Sequence, residues 1–200
     1  MFAAQLRLEP AAASAGAGHW SDDAKRALTQ HWPEYMIKGF CLGMFMISAC
    51  TFAVVLEHPA SPVRMSVVNA DLRRFLGGLA MGLTAVLLIY SLFGRRSGAH
   101  MNPATTLTFY RLGKVGSWDA VFYMTSQFAG GVVGTLVAFS ILGRALSYPN
   151  VNFAITCPGM SGIVIAFIAE IFIRFLSMFA ILNVSNSQKF IGIRTEDAHF

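Results

Sequence analysis

Four long stretches with few or no charged residues constrain this chain more than any other feature. Three of them contain no Asp, Glu, Lys or Arg: Gly39 to Leu56, Phe75 to Gly94 and Ala120 to Gly143. Roughly 20 apolar residues in a helix cross a bilayer core of about 30 Å, so each stretch predicts one membrane-spanning helix. A fourth stretch, about Ile163 to Val184, is equally apolar but contains Glu170 and Arg174.

Composition agrees with an all-α integral membrane protein. The 200 residues are 55% hydrophobic and 12% charged, and the mean hydropathy is +0.56. A soluble domain carries about twice that share of charge. The net charge of +5 is spread over short loops and forms no single patch, so we expect no nucleic-acid partner.

The distribution of basic residues predicts the orientation of the chain. With the N-terminus in the cytoplasm, nine lie in inner segments: Arg7, Lys25, Arg26, Arg95, Arg96, Arg111, Lys114, Lys189 and Arg194. Four then lie in outer loops: Arg64, Arg73, Arg74 and Arg144. Because positive charge concentrates on the cytoplasmic side, the pattern favours a cytoplasmic N-terminus.

Three regions follow from these patterns. Residues 1–34 are polar and rich in Ala and Gly, lack the apolar core of a signal peptide, and predict a disordered tail. Residues 35–189 predict a transmembrane domain with spans at about 36–56, 75–94, 118–143 and 162–185. Residues 190–200 predict a polar C-terminal tail.

The segment SGAHMNPATT, from Ser97 to Thr106, lies between two predicted spans. It begins a stretch with residues that are typical of the start and end of a short helix. Asn102 suits the N-cap, Pro103 the first helical position and Gly113 the C-terminal cap. A helix over 103–112 would be roughly 15 Å long, about half a bilayer. The extended residues before it would then reach mid-membrane, where free backbone groups are tolerated only beside protein or water.

A helix that begins at the membrane centre has two consequences. Its free N–H groups and macrodipole place about half a positive elementary charge there, which disfavours cations and protons. The Asn102 amide could donate to a water or alcohol oxygen, and the carbonyls of Gly98, Ala99 and His100 could accept in return. No nucleophile with its base and no phosphate-binding loop accompanies the segment, so we expect no enzyme, no cofactor and no metal site.

SGAHMNPATT closely resembles the first pore motif of the aquaporin and glycerol-facilitator (major intrinsic protein) family. The matching residues are Gly98, Ala99, His100, Asn102, Pro103 and Ala104. Gln127 resembles the glutamine of the family's third helix. The resemblance implies an aquaporin-like right-handed helical bundle, here the first half with one re-entrant half-helix plus one span of the second half.

The same resemblance implies a passive channel for water or a small neutral solute such as glycerol. Asn102, Pro103 and Ala104 would line the pore with Gly98, Ala99 and the carbonyl of His100, whose side chain is expected to be packed. Gly82 would lie at the outer constriction, or Met81 if the register shifts by one. The resemblance also implies a homotetramer in a bilayer, expected to be the plasma membrane.

Three departures from the family pattern carry further expectations. The chain ends at Phe200 without a second Asn-Pro-Ala, which suggests a truncated member; a non-conducting partner of full-length channels is therefore the alternative function. Phe40 aligns with the family's first-span glutamate, and Lys38, near the cytoplasmic end, is long enough to extend its ammonium group to the membrane surface. Arg174 would cost about 2.5 to 3.5 kcal/mol unpaired, so we expect it to pair with Glu170, which could alternatively support the pore loop.

Overall fold

The computed structural model describes residues 17–98, 100–158 and 162–186, and within them every regular element is helical. Seven α-helices follow in order: α1 Ala17–Glu57, α2 Pro62–Ser66, α3 Ala70–Tyr90, α4 Leu92–Arg96, α5 Pro103–Arg111, α6 Ser117–Leu142 and α7 Ile163–Asn186. Two 3₁₀ turns, Gly143–Ala145 and Asn152–Ala154, follow α6. The chain divides into two units, one holding α1 to α6 and the other holding α7.

Four helices are long and apolar enough to cross a membrane, and they coincide with the four predicted spans. The qualifying segments are Trp20–Glu57, Ala70–Tyr90, Ser117–Ala145 and Ile163–Asn183. The second ends before its predicted limit of 94, because Ser91 closes α3 and caps α4 by accepting from the amide of Gly94. The class of an all-α protein with four spans is therefore confirmed.

Helix α1 corrects the prediction of a disordered tail over residues 1–34. Residues 17–34 are helical and continuous with the first span, whereas residues 1–16 lie outside the described part of the chain. One face of this extension packs against the start of α6. The Nδ1 of His31 lies 2.9 Å from the Asp119 carboxylate, and the Tyr35 hydroxyl donates to the same oxygen at 2.5 Å. Although the tail is polar in composition, His31 and Tyr35 lie four residues apart on one helix face and both contact α6.

Asp119→Asn is expected to loosen this extension, because the neutral amide weakens both bonds to α1. Loss of about 1 kcal/mol raises an open population about fivefold. Tryptic cleavage after Lys25 and Arg26 should accelerate by about that factor, as measured by mass spectrometry. Asp71→Asn is the matched control, because Asp71 pairs with Arg74 on an exposed surface. Equal cleavage rates in both variants would contradict the contact.

Helices α1 and α6 pack through glycines whose backbones touch. A Cβ built on Gly130 would lie 2.0 Å from the carbonyl oxygen of Gly39, and one on Gly134 would lie 2.3 Å from that of Gly43. Gly130 and Gly134 therefore have a helix-packing role. Gly78 does not, since a Cβ there meets no heavy atom within 4 Å.

Helix α7 carries the predicted intrahelical ion pair. The Nε of Arg174 donates to Oε1 of Glu170 at 2.7 Å, one helical turn away. Pairing reduces the cost of placing the two charges in an apolar helix.

Candidate functional site

The chain reaches the candidate site through a tight reversal after α3. Gly94 is buried in this reversal, and a Cβ there would lie 2.0 Å from the carbonyl oxygen of Leu88. Gly98 follows with a φ of 80°, a left-handed conformation that favours glycine. Gly94 and Gly98 thus allow the backbone conformation that leads from α3 to α5.

Asn102 caps α5 as the sequence predicts. Its side-chain oxygen accepts from the amide of Ala104 at 2.8 Å, and its carbonyl accepts from the amide of Thr106 at 3.0 Å. Pro103 begins the helix, and Gly113 follows its end with a φ of 68°. The nine residues of α5 span about 14 Å. Asn102 and Ala104 are exposed, and the Asn102 Nδ2 group donates to no described residue.

A buried polar network anchors the start of α5 to α6. Gln127 and Thr106 are fully buried, and their side chains lie 3.3 Å apart. The Thr106 hydroxyl also lies 3.0 Å from Nδ1 of His100, and the Gln127 amide donates to the carbonyl of His100 at 3.3 Å. Paired in this way, the buried polar groups fix the loop against α6 and avoid the cost of unsatisfied burial.

The His100 ring is packed and hydrogen-bonded, as expected. Its edge meets Phe109 and Tyr123 at centroid distances of 5.2 and 5.7 Å. Its carbonyl differs from the expectation of a free acceptor, because both Gln127 and Lys38 donate to it. A carbonyl oxygen has two lone pairs, so protein donors satisfy this one.

Lys38 does not take the membrane-surface position that its length allows. Its side chain is fully buried instead of extending to the membrane surface, and its Nζ donates to the carbonyls of Ser97 at 2.5 Å and His100 at 3.3 Å. Phe40, aligned with the family glutamate, is 52% exposed and packs against Phe93. Lys38 thus faces the loop from the position that the alignment gave to Phe40.

The remaining predicted residues are placed as follows. Gly82 is exposed on α3, and a Cβ there meets nothing within 4 Å, while Met81 is half-buried. Pro103 and Gln127 border a groove of about 470 Å³ whose other walls are apolar residues of α1 and α6 together with Thr135. Ala99 and residues 190–200 lie outside the described residues. Glu170 is in the separate unit with α7, so its support of the loop stays a prediction.

The burial pattern along α1 accounts for the inward position of Lys38. The buried or half-buried positions Ala27, His31, Tyr35 and Lys38 recur every three or four residues along α1. This spacing continues the inward face of the helix through the tail boundary at residue 34.

A protein-family sequence model matches most of the chain, and the matched region includes α5 with its capping Asn102. The sequence model of the major intrinsic protein family matches residues 30–193. The chain belongs to the major intrinsic protein family. The described spans accordingly make it an integral membrane protein of the family's all-α channel fold.

Individual relatives of this chain are also named as members of the same family. The chain is 33% identical over 116 residues to a probable aquaporin of Archaeoglobus fulgidus, covering 58% of this chain and 46% of that one. It is 28% identical over 159 residues to an aquaglyceroporin of Toxoplasma gondii, covering 74% and 53%. Aquaporin NIP1-2 of Arabidopsis thaliana is 34% identical over 122 residues, covering 58% and 41%. No solved structure gives a significant match.

The chain spans about half the length of these curated relatives. The major intrinsic protein family is a family of transport channels and not a family of enzymes.

Proposed function

We propose that this family member forms a passive channel for water or a small neutral solute such as glycerol. The observation that carries the proposal is the exposed amino end of α5, where Asn102 uses its side-chain oxygen as a cap and keeps its Nδ2 group free of described acceptors. Relatives named aquaporin and aquaglyceroporin support the choice of solutes.

In this proposal Asn102 donates to the oxygen of the passing solute, while Pro103 and Ala104 form the wall at the start of α5. The carbonyls of Gly98 and Ala99 accept from the solute. The His100 carbonyl belongs to the loop support, because its lone pairs meet Lys38 and Gln127. Gly82, or Met81 beside it, lines the outer constriction.

Proton exclusion follows from the helix terminus. The macrodipole of α5 creates a positive potential at its amino end that raises the energy of a cation at that point. A neutral solute feels only the hydrogen bonds, so it passes while a proton is held back. We place the protein as a homotetramer in the plasma membrane, with the N-terminus in the cytoplasm.

Stopped-flow swelling of proteoliposomes tests the function. Vesicles that contain the chain should swell faster than protein-free vesicles in a water gradient, and a parallel glycerol gradient identifies the preferred solute. A pH-sensitive dye inside the vesicles should report no added proton flux. Swelling at the protein-free rate, with the protein folded and inserted, would instead support a non-conducting partner of full-length channels.

A further inference from the structure

The side chain of Lys38 is fully buried in the first span and forms no salt bridge with a described acidic residue. Glu34, one helical turn earlier, instead lies 3.8 Å from Arg96. Burying an amine without a salt-bridge partner is unfavourable, and an apolar residue of similar length would fill the same volume without that cost. The contacts that Lys38 makes with the protein must therefore offset the cost of burying its polar group.

The Lys38 ammonium group donates two hydrogen bonds to one short segment of the loop. Nζ donates to the carbonyl of Ser97 and to that of His100, on either side of the left-handed turn at Gly98. It also lies 4.4 Å from the centroid of the Tyr123 ring on α6, a cation–π distance. Two carbonyls and one aromatic face thus accommodate the three N–H groups. One side chain of α1 joins the loop to α6.

The polarity of this contact is the reverse of what the resemblance implies. A glutamate in the first span would accept from loop N–H groups, whereas Lys38 donates to loop carbonyls. Drawing the carbonyls of Ser97 and His100 toward α1 sets the direction in which the chain leaves the turn. Two residues later that direction determines where Asn102 begins α5.

We propose that Lys38 is a positioning residue of the channel, which holds the loop by its Ser97 and His100 carbonyls and thereby fixes Asn102 at the start of α5. The consequence for transport rests on the proposed function, but the hold on the loop does not. Loop order and permeability are therefore measured separately.

Lys38→Met is the informative variant, because it keeps the length of the side chain and removes every donor. Lys38→Arg keeps charge and donors and is the rescue variant. Lys114→Met is the matched control, since Lys114 is an exposed lysine over the Phe109 ring, outside the contacts to the loop carbonyls. Each variant is reconstituted as the full chain in lipid nanodiscs and in proteoliposomes.

Hydrogen exchange of peptides covering residues 97–111 is the first readout. We expect Lys38→Met to accelerate exchange at least tenfold, because the loss of only one of its two hydrogen bonds already accounts for about that factor. Peptides from α3 and α6 should stay at the wild-type rate, Lys38→Arg should restore most of the protection, and Lys114→Met should change nothing. Osmotic swelling is the second readout, where Lys38→Met should lose most of the permeability and Lys38→Arg should recover it.

Wild-type exchange at residues 97–111 in Lys38→Met would overturn the proposal. Should that variant fail to fold, Lys38→Gln replaces it, because the shorter side chain cannot reach both carbonyls, and unchanged exchange there overturns the proposal equally. Faster exchange in a protein whose wild type does not conduct would uphold the hold on the loop and contradict only the channel function.

Discussion

Replacing Asn102 with Leu is expected to reduce the water permeability of proteoliposomes to that of protein-free vesicles. The substitution removes the cap on the amide of Ala104, which costs about 1 kcal/mol, so α5 frays at its first turn. It also removes the Nδ2 donor and puts a branched apolar side chain where the solute would be oriented. Stopped-flow light scattering measures the effect, with circular dichroism to verify that the helices persist.

Asn102→Asp separates capping from solute orientation. The carboxylate keeps the oxygen that accepts from Ala104 and suits a helix N-terminus, so α5 should stay intact. The donor is lost and a negative charge appears at the same point, so we expect reduced water flux together with a measurable cation leak. Wild-type permeability in both variants would exclude Asn102 from the solute path.

Gly130→Ala is expected to prevent α1 and α6 from packing. The new Cβ would lie 2.0 Å from the carbonyl oxygen of Gly39, 2.4 Å from its carbonyl carbon and 2.6 Å from its Cα, so the backbones themselves must separate. Overpacking of this kind costs about 1 to 3 kcal/mol and can cost more when backbone must move. Separation would also move Lys38 away from Tyr123 and loosen Gln127, whose positions depend on that interface.

Gly78→Ala is the matched control, because a Cβ there meets no heavy atom within 4 Å and alanine is the better helix former. Thermal unfolding in detergent, followed by size-exclusion chromatography, should show a lowered midpoint and aggregated material for Gly130→Ala only. Equal unfolding midpoints for the two variants would mean that α1 and α6 do not touch through these glycines.

The ends of the helices that could be predicted depend on the lipid environment and on residues close together in the chain. Uncharged runs of about 20 residues must cross the bilayer as helices, because lipid offers no partner for the backbone. The bounds of α5 follow from Asn102, Pro103 and Gly113, which act within one helical turn. The residues of the capping contact are likewise neighbours in the chain, so the sequence contains all the information that it requires.

The long-range contacts of α1 were not predictable in the same way. His31 meets Asp119 across 88 residues and Lys38 meets Ser97 across 59, and no local signal pairs them. The resemblance aligned Phe40 with the family's first-span glutamate, whereas the contact of Gly39 with Gly130 turns Lys38 inward and leaves Phe40 exposed.

The sequence by itself therefore determined the membrane class, the four spans, the capped half-length helix and the family. Only the tertiary structure decided which face of α1 meets the loop, which carbonyls are already satisfied, and that the N-terminal segment from residue 17 is helical. The physical reason is that spans and caps are set by the lipid and by neighbouring residues. The orientation of a helix about its own axis is set by backbone contacts with a distant partner.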